Sequence, residues 1–277
     1  MIAESRLAAV ADRMLDAQAR AATVPLPSQT EPGFDVGAAF AVATRMRDRR
    51  LAAGRVPRGW KIGFTNRSIW PRYKVYAPIW ANVWDHTLTL LDAPHAVGSL
   101  AGLCQPRLEP EIVFGLKAVP EPGMDNAALA RCIEWVAHGF EVVHTHFEGW
   151  RFTLADCMVD DALHGRLYVG PRVPAARFAD LAAETRALRV ELLRDGEVID
   201  RGDASIVLDG PVDALRQWID AMAASPAPWP VHAGDLVTTG TITDAWPLAP
   251  GQRWRTRLSD PGSATPRLAD LAIEIPA

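Results

Sequence analysis

The chain has 277 residues, is 49% hydrophobic and 22% charged, and carries a net charge of −4 with a pI near 6.0. This is an ordinary globular composition with ample length for a core, and its acidic balance argues against a nucleic-acid binder or a basic membrane-surface protein. No apolar run approaches membrane-spanning length.

Leu7, Val10, Ala11, Met14 and Leu15 recur at i, i+3, i+4, i+7 and i+8, which predicts a first helix. Glu4 and Asp12 inside that pattern exclude a secretory signal. Cys104, Cys132 and Cys157 have no metal or redox spacing and fit a reduced compartment, so the expected address is the cytoplasm. Residues 25–33 read as a Pro/Ser/Gly linker. A second helix should start at Asp35 as its N-cap, carry Val36, Phe40, Ala43 and Met46 inward, and stop at Gly54. Arg45–Arg50 would cover its surface.

From Trp60 the texture changes to short strands, turns and prolines. Trp60–Thr65 alternates as a half-buried strand. Residues 125–138 read as a helix with Leu129, Cys132, Ile133 and Val136 on one stripe, ended by Gly139, and 140–147 as a strand. Asp195-Gly196 between two alternating runs is a tight hairpin signal. Pro211 opens a helix through Leu215, Trp218, Ile219 and Met222, and 236–241 and 254–258 read as strands. The expectation is an α+β protein, with a helical region over 1–58 and a β-rich catalytic body over 59–277 forming one integrated domain.

Chemistry concentrates in Leu108-Glu109-Pro110-Glu111-Ile112-Val113-Phe114. Side chains alternate faces along a strand, so Glu109 and Glu111 project together while Pro110, Ile112, Phe114 and Leu116 point the other way. Two like charges on a core strand repel unless a cation sits between them, and oxygen ligands suit Mg²⁺ or Mn²⁺ better than zinc. An edge strand with its polar face in water fits the same spacing. In 140–147, Glu141 shares a face with Val143, Thr145 and Phe147 and wants a partner, which is either an arginine or the same cation as a third ligand. Lys61, opposite Trp60 and Ile62 and next to Gly63, is positioned to balance a substrate carboxylate or deliver a proton.

Trp60-Lys61-Ile62-Gly63-Phe64-Thr65, then Gln105-Pro106-Arg107-Leu108-Glu109-Pro110-Glu111-Ile112, then Glu141 with Trp150, and finally 234–241 followed by Pro250-Gly251, together resemble the 2-oxopent-4-enoate hydratase and 4-oxalocrotonate decarboxylase branch of the fumarylacetoacetate hydrolase family. The resemblance implies a mixed β-sandwich roll with N-terminal helices and a Mg²⁺ or Mn²⁺ ion on Glu109, Glu111 and Glu141. It also implies Lys61 as a catalytic residue, small enolised 2-oxo acids from aromatic catabolism as substrates, and homo-oligomers built from dimers, with a homologous enzyme as a possible partner. Arg107, Thr241, Trp80 and Gly63 are the expected substrate contacts.

Three departures from the family pattern stand out. Ile79 occupies the position where many members carry Asp, Leu163-His164-Gly165 replaces a pair of serines, and His144 and His146 replace an Asp and an Arg. His164 then has two readings, a general acid or base in place of the missing Asp, or an exposed turn histidine. Trp80, Trp84 and Trp150 either shape the pocket or pack the core. His144 and His146 face away from Glu141 and are not expected to ligate metal, and Asp156, Asp160 and Asp161 should cap or flank a short helix. The expected function is a metal-dependent lyase that hydrates a 2-hydroxy-2,4-dienoate. The alternatives are decarboxylation of a 2-oxo-3-hexenedioate, C–C hydrolysis of an acylpyruvate, and a catalytically silent partner subunit.

Overall fold

The computed structural model describes residues 2–226, 228–260 and 267–277. Helix α1 (Glu4–Arg20) buries Leu7, Val10, Ala11, Met14 and Ala17 along one face. The expected linker instead contains a helical turn, α2 (Pro27–Thr30), where Ser28 donates its backbone N–H and its hydroxyl to Asp156 at 2.8 and 2.6 Å. Helix α3 (Val36–Ala52) starts at the expected cap, with the Asp35 carboxylate accepting from the Ala38 N–H. Its buried stripe is Ala39, Phe40, Val42 and Met46, and it begins after Val36, which is 46% exposed. Helices α1 and α3 share a buried cluster with Phe147, Ala155 and Val159. Arg50 ties them to the sheet region, donating to both Asp161 oxygens at 2.7 and 2.5 Å and to Gln18 at 2.6 Å.

Five further helices lie between the strands: α4 (Trp70–Tyr73), α5 (Asn126–Cys132), α6 (Leu154–Val159), α7 (Leu181–Ala187) and α8 (Pro211–Ala223). The larger sheet runs β2 (Ile79–Trp84), β1 (Pro57–Gly63), β11 (Leu236–Thr241), β5 (Arg107–Leu116), β6 (Ile133–Val143), β7 (His164–Val169) and β3 (Leu88–Leu90). In it β8 (Val173–Pro174) also pairs with β6, and β12 (Trp246–Pro247) with β5. The smaller sheet runs β10 (Glu197–Asp203), β9 (Arg189–Arg194), β13 (Arg253–Ser259), β14 (Ala272–Glu274) and β4 (His95–Val97). The pairs β1–β11, β3–β7 and β4–β14 are parallel, and β5 is antiparallel to both its long neighbours. Leu108, Phe140, Val142 and Tyr168 of the larger sheet meet Leu192, Trp254 and Ile273 of the smaller one. Beside them Trp60, Ile62, Ile112 and Phe114 pack against Leu215 and Trp218 of α8. This is the expected α+β sandwich roll with N-terminal helices.

The helix expected over 125–138 is a correction. Helix α5 is capped by Asp125, whose carboxylate accepts from the Ala128 N–H, and ends at Cys132. The chain then enters β6 directly. Leu129, Cys132, Ile133 and Val136 have helical spacing, but residues from Ile133 onward gain a long ladder against β5, and that pairing overrides the local pattern. Gly139 stops no helix and lies in mid-strand opposite Glu111. The hairpin at Asp195-Gly196 forms as read. Both residues adopt positive φ, 52° and 93°, as a primed turn between twisted strands requires.

Candidate active site

The pleat of β5 sends Ile112 and Phe114 to the core beneath α8 and Glu109 and Glu111 to the opposite face of the sheet. Glu141 lies directly across from Glu109 in the antiparallel register and so projects from that same face. One carboxylate oxygen from each of the three comes within 4.8 Å of the others. Glu111 and Glu141 are fully buried, whereas Glu109 is half-buried and opens onto a cavity.

Glu111 is held by the Gly240 N–H, which donates to Oε2 at 2.8 Å, and by the Thr238 hydroxyl, which donates to the same oxygen. Gly240 has to be glycine here, since its φ is +105° and a Cβ would stand 1.8 Å from Thr65 Oγ1. Glu141 Oε1 pairs with His164 Nδ1 at 2.7 Å. Its Oε2 lies 3.3 Å from Lys61 Nζ, an ion pair without hydrogen-bond alignment. Glu111 Oε1 and Glu141 Oε2 are therefore buried oxygens with no hydrogen bond among the described residues. Buried carboxylate oxygens left open within a trio of like charges fit a hard divalent cation.

The charges respond as such a cluster must. Burial pushes Glu109 up from 4.5 to about 7, with Lys61 opposing the rise and Glu141 adding to it. Burial, followed by the charges of Glu141 and Glu109, raises Glu111 well above its ordinary value. Burial would also raise Glu141, but Lys61 and His164 outweigh it and hold the carboxyl at about 2. Burial alone would lower Lys61. The surrounding carboxylates, Glu141 foremost, more than offset that and raise it.

A metal-free protein in this state keeps protons that a bound ion would displace. The stabilisation from raised carboxylates is complete below their unfolded pKa of 4.5 and is lost as the pH rises through about 7 for Glu109. Metal uptake near pH 7 is therefore expected to release roughly one proton and to tighten with rising pH. Calorimetry in buffers of different ionisation enthalpy measures that release. Zero protons released at pH 7 would contradict the protonated state of the cluster. Comparing metal-free with metal-loaded protein isolates the carboxylates from buried His138 and His144, which burial depresses to about 4 and which act in the opposite sense.

The cavity measures about 370 Å³ and is lined by Lys61, Glu109, Arg107, Gly63 and Thr241, five of the residues singled out in the sequence. Lys61 is 4% exposed on β1, and the neighbouring Trp60 and Ile62 anchor the opposite face. The Thr241 hydroxyl donates to the Thr243 carbonyl at 2.9 Å and accepts from the Thr243 N–H at 3.3 Å, so its oxygen keeps one acceptor site. Trp150 forms a wall because Gln105 holds its loop, with the Gln105 side chain bonded to Thr145, Phe147 and Gly149 and its carbonyl accepting from the indole at 3.0 Å.

Trp80 is a correction. It does not line this cavity but packs edge-on against Phe40 and lines a separate, apolar cavity of about 370 Å³ between α3 and α8. Alternation along β2 decides this, since Ile79 and Ala81 face α6 while Trp80 turns toward the N-terminal helices. Ile79 lines both cavities and forms the wall between them. Trp84 packs beneath Arg50, 5.4 Å from its guanidinium.

His164 is no exposed turn residue. It opens β7, is 4% exposed, and bonds Glu141 through Nδ1 and Thr87 through Nε2 at 2.9 Å. It does not line the cavity, so its contact with the site runs through Glu141. His144 Nδ1 accepts from the Cys104 N–H, and His146 pairs with Asp160 at 2.6 Å. Neither joins the carboxylates. Asp156 closes a capping box with Thr153 on α6, as an acidic residue flanking a short helix should.

Several residues around the site fall outside those singled out from the sequence. Arg72 and Tyr73 arrive on α4, Phe152 and Cys157 come from the segment around α6, and Thr238 and Gly240 bond Glu111. Thr238 and Gly240 lie inside the motif that supplied Thr241, so their position two residues apart on β11 was available as a signal.

No protein-family model matches the chain. A 2-hydroxypent-2,4-dienoate hydratase of Pseudomonas putida is 31% identical over 212 residues, covering 75% of this chain and 91% of that protein. A 4-oxalocrotonate decarboxylase of Pseudomonas sp. strain CF600 is 27% identical over 257 residues, covering 92% and 94%. The fold matches the 4-oxalocrotonate decarboxylase from Pseudomonas putida G7, solved with magnesium and adipate, at a TM-score of 0.86 and 22% identity over 99% of both chains.

Proposed function

Since the chain belongs to the 2-oxopent-4-enoate hydratase and 4-oxalocrotonate decarboxylase branch of the fumarylacetoacetate hydrolase family, we propose that it is a divalent-metal-dependent lyase acting on a small enolisable 2-oxo acid, by hydration of a 2-hydroxy-2,4-dienoate in aromatic catabolism. The observation that carries this reading is the convergence of Glu109, Glu111 and Glu141, two of them with an open buried oxygen, beside the buried ammonium of Lys61.

Glu109, Glu111 and Glu141 would hold Mg²⁺ or Mn²⁺, which when bound supplies Lewis-acid charge to the carboxylate and 2-oxygen of the substrate. Lys61 Nζ carries a proton at neutral pH and, placed in the cavity wall, delivers it to substrate carbon during ketonisation. His164 positions Glu141 by fixing one of its oxygens. Phe64, Tyr73, Trp150 and Phe152 line the cavity, and Tyr73 stacks on Phe152 at 5.5 Å with an interplanar angle of 17°. Flat aromatic walls orient a conjugated chain and exclude water around it. Hydration and decarboxylation share this proton transfer.

Hydrolysis of an acylpyruvate needs a base aimed at water, and both ring nitrogens of His164 are already engaged. A silent partner subunit has no use for a buried lysine beside three carboxylates. Among the described residues no helix is long and apolar enough to cross a membrane. The reading carries a cytoplasmic address and a homo-oligomer built from dimers.

Oxalate, a flat mimic of the 2-oxo acid head, tests the site. Calorimetric titration is expected to show binding to the Mg²⁺- or Mn²⁺-loaded protein and none to the stripped protein. Absence of binding in both would make the carboxylates structural and bring the non-catalytic reading forward.

A further inference from the structure

A second chamber adjoins the active-site cavity. Each measures about 370 Å³, and Ile79 lines both. Ile79 opens β2 opposite Gly63 of β1, while Ala81 stands opposite Lys61, so Ile79 and Lys61 project from one face of the strand pair. Glycine at 63 vacates space that Ile79 fills. A Cβ placed there would stand 3.1 Å from Ile79 Cγ1 and 3.4 Å from Lys61 Cε. Ile79 is 7% exposed and packs against α6, which completes the division. Cys157 on α6 lines the active-site cavity, whereas Leu154 and Met158 on the same helix line the chamber behind it.

We propose that Ile79 sets the chain-length limit of the substrate, and that an apolar tail can enter the rear chamber only when this side chain is cut back. The inference rests on the lyase reading, which places the 2-oxo acid head at Glu109, Glu111 and Glu141 beside Lys61. Lys61 and Gly63 are one i, i+2 step apart on β1, roughly 7 Å. A chain running from the head past Lys61 along β1 therefore meets Ile79 within a few carbons. Beyond it Phe40, Trp80 and Trp229 line the chamber, with the Phe40 ring 6.4 Å from Trp80 and 5.8 Å from Trp229. Lys74, the one charged side chain in the described lining, is exposed. The chamber thus suits a hydrocarbon chain and offers no buried partner to a charged end.

Calorimetry on the Mg²⁺-loaded protein with unbranched 2-oxo acids, from 2-oxobutanoate to 2-oxodecanoate, reads the limit, with oxalate as the head-only probe. In the parent, affinity is expected to stop rising and then fall once the tail reaches Ile79. Ile79→Ala should move that break outward by several carbons, each methylene that enters the chamber tightening binding about three- to fourfold. Ile79→Val, the milder truncation, should move it less. Ala43 lines the rear chamber from α3, so adding Ala43→Leu to Ile79→Ala should return the break toward its parent position. A break unmoved in both Ile79 variants, or one that Ala43→Leu leaves displaced, would overturn the partition. So would parent affinity that keeps rising through 2-oxodecanoate. Failure of oxalate to bind the parent would instead count against the lyase reading, and the break remains readable from the longer acids.

Discussion

Glu111→Gln is expected to abolish tight Mg²⁺ or Mn²⁺ binding and to lower kcat/KM by about 10³-fold or more, as the loss of several kcal/mol of Lewis-acid stabilisation implies. The fold should survive for a specific reason. In the metal-free protein burial, with the charges of Glu141 and Glu109, holds Glu111 well above its ordinary pKa, which favours the neutral carboxyl. Glutamine has the same shape and is also neutral. Its amide oxygen can still accept from Gly240 and Thr238, the two groups that hold the native side chain. The variant should therefore unfold within a few degrees of the parent while calorimetry detects no metal binding. Undiminished metal affinity in a folded variant would show that the three carboxylates converge without holding an ion.

Lys61→Met separates proton transfer from metal binding. Methionine fills a similar volume between Ile79 and Cys157, which share the cavity wall, and removes only the ammonium. Turnover is expected to fall roughly 10²- to 10⁴-fold, the usual contribution of a positioned proton donor. Binding of metal and of oxalate should persist, because Glu141 keeps its bond from His164. The drop should appear in kcat more than in KM, since a proton delivered in the transition state adds little to ground-state binding. If steady-state turnover stayed within about threefold of the parent, Lys61 would be reduced to a counter-charge for Glu141 and the proton would have another source.

These two residues show which parts of the site can be read locally. Glu109 and Glu111 share a face because a strand has period two, and that holds wherever the strand lies. Lys61 opposite Trp60 and Ile62 follows from the same alternation, and Asp35, Asp125 and the Asp195-Gly196 turn are recognisable from their immediate neighbours. Ile133 and Val136 show the opposite case. Their spacing serves a helix as well as a strand, and the choice fell to β5, whose ladder can form only after distant chain has folded against it. His164 was ambiguous for a related reason. A histidine beside glycine in a turn-like sequence is polar either way, and only the placement of β7 next to β6 brings its ring to Glu141.

Backbone periodicity in the sequence alone determined the α+β class and the paired carboxylates on one strand face, and the resemblance of its motifs to a known family implied the sandwich roll and Lys61 as their companion. Tertiary structure decided that Glu141 lies across from Glu109, that His164 supports it, that Trp80 leaves the cavity while Ile79 walls it, and that Arg72 joins Arg107 in its lining. Each of those facts depends on strand register or on the packing of segments remote in the chain, and no local pattern encodes them because the energy that selects them comes from contacts made only in the folded state.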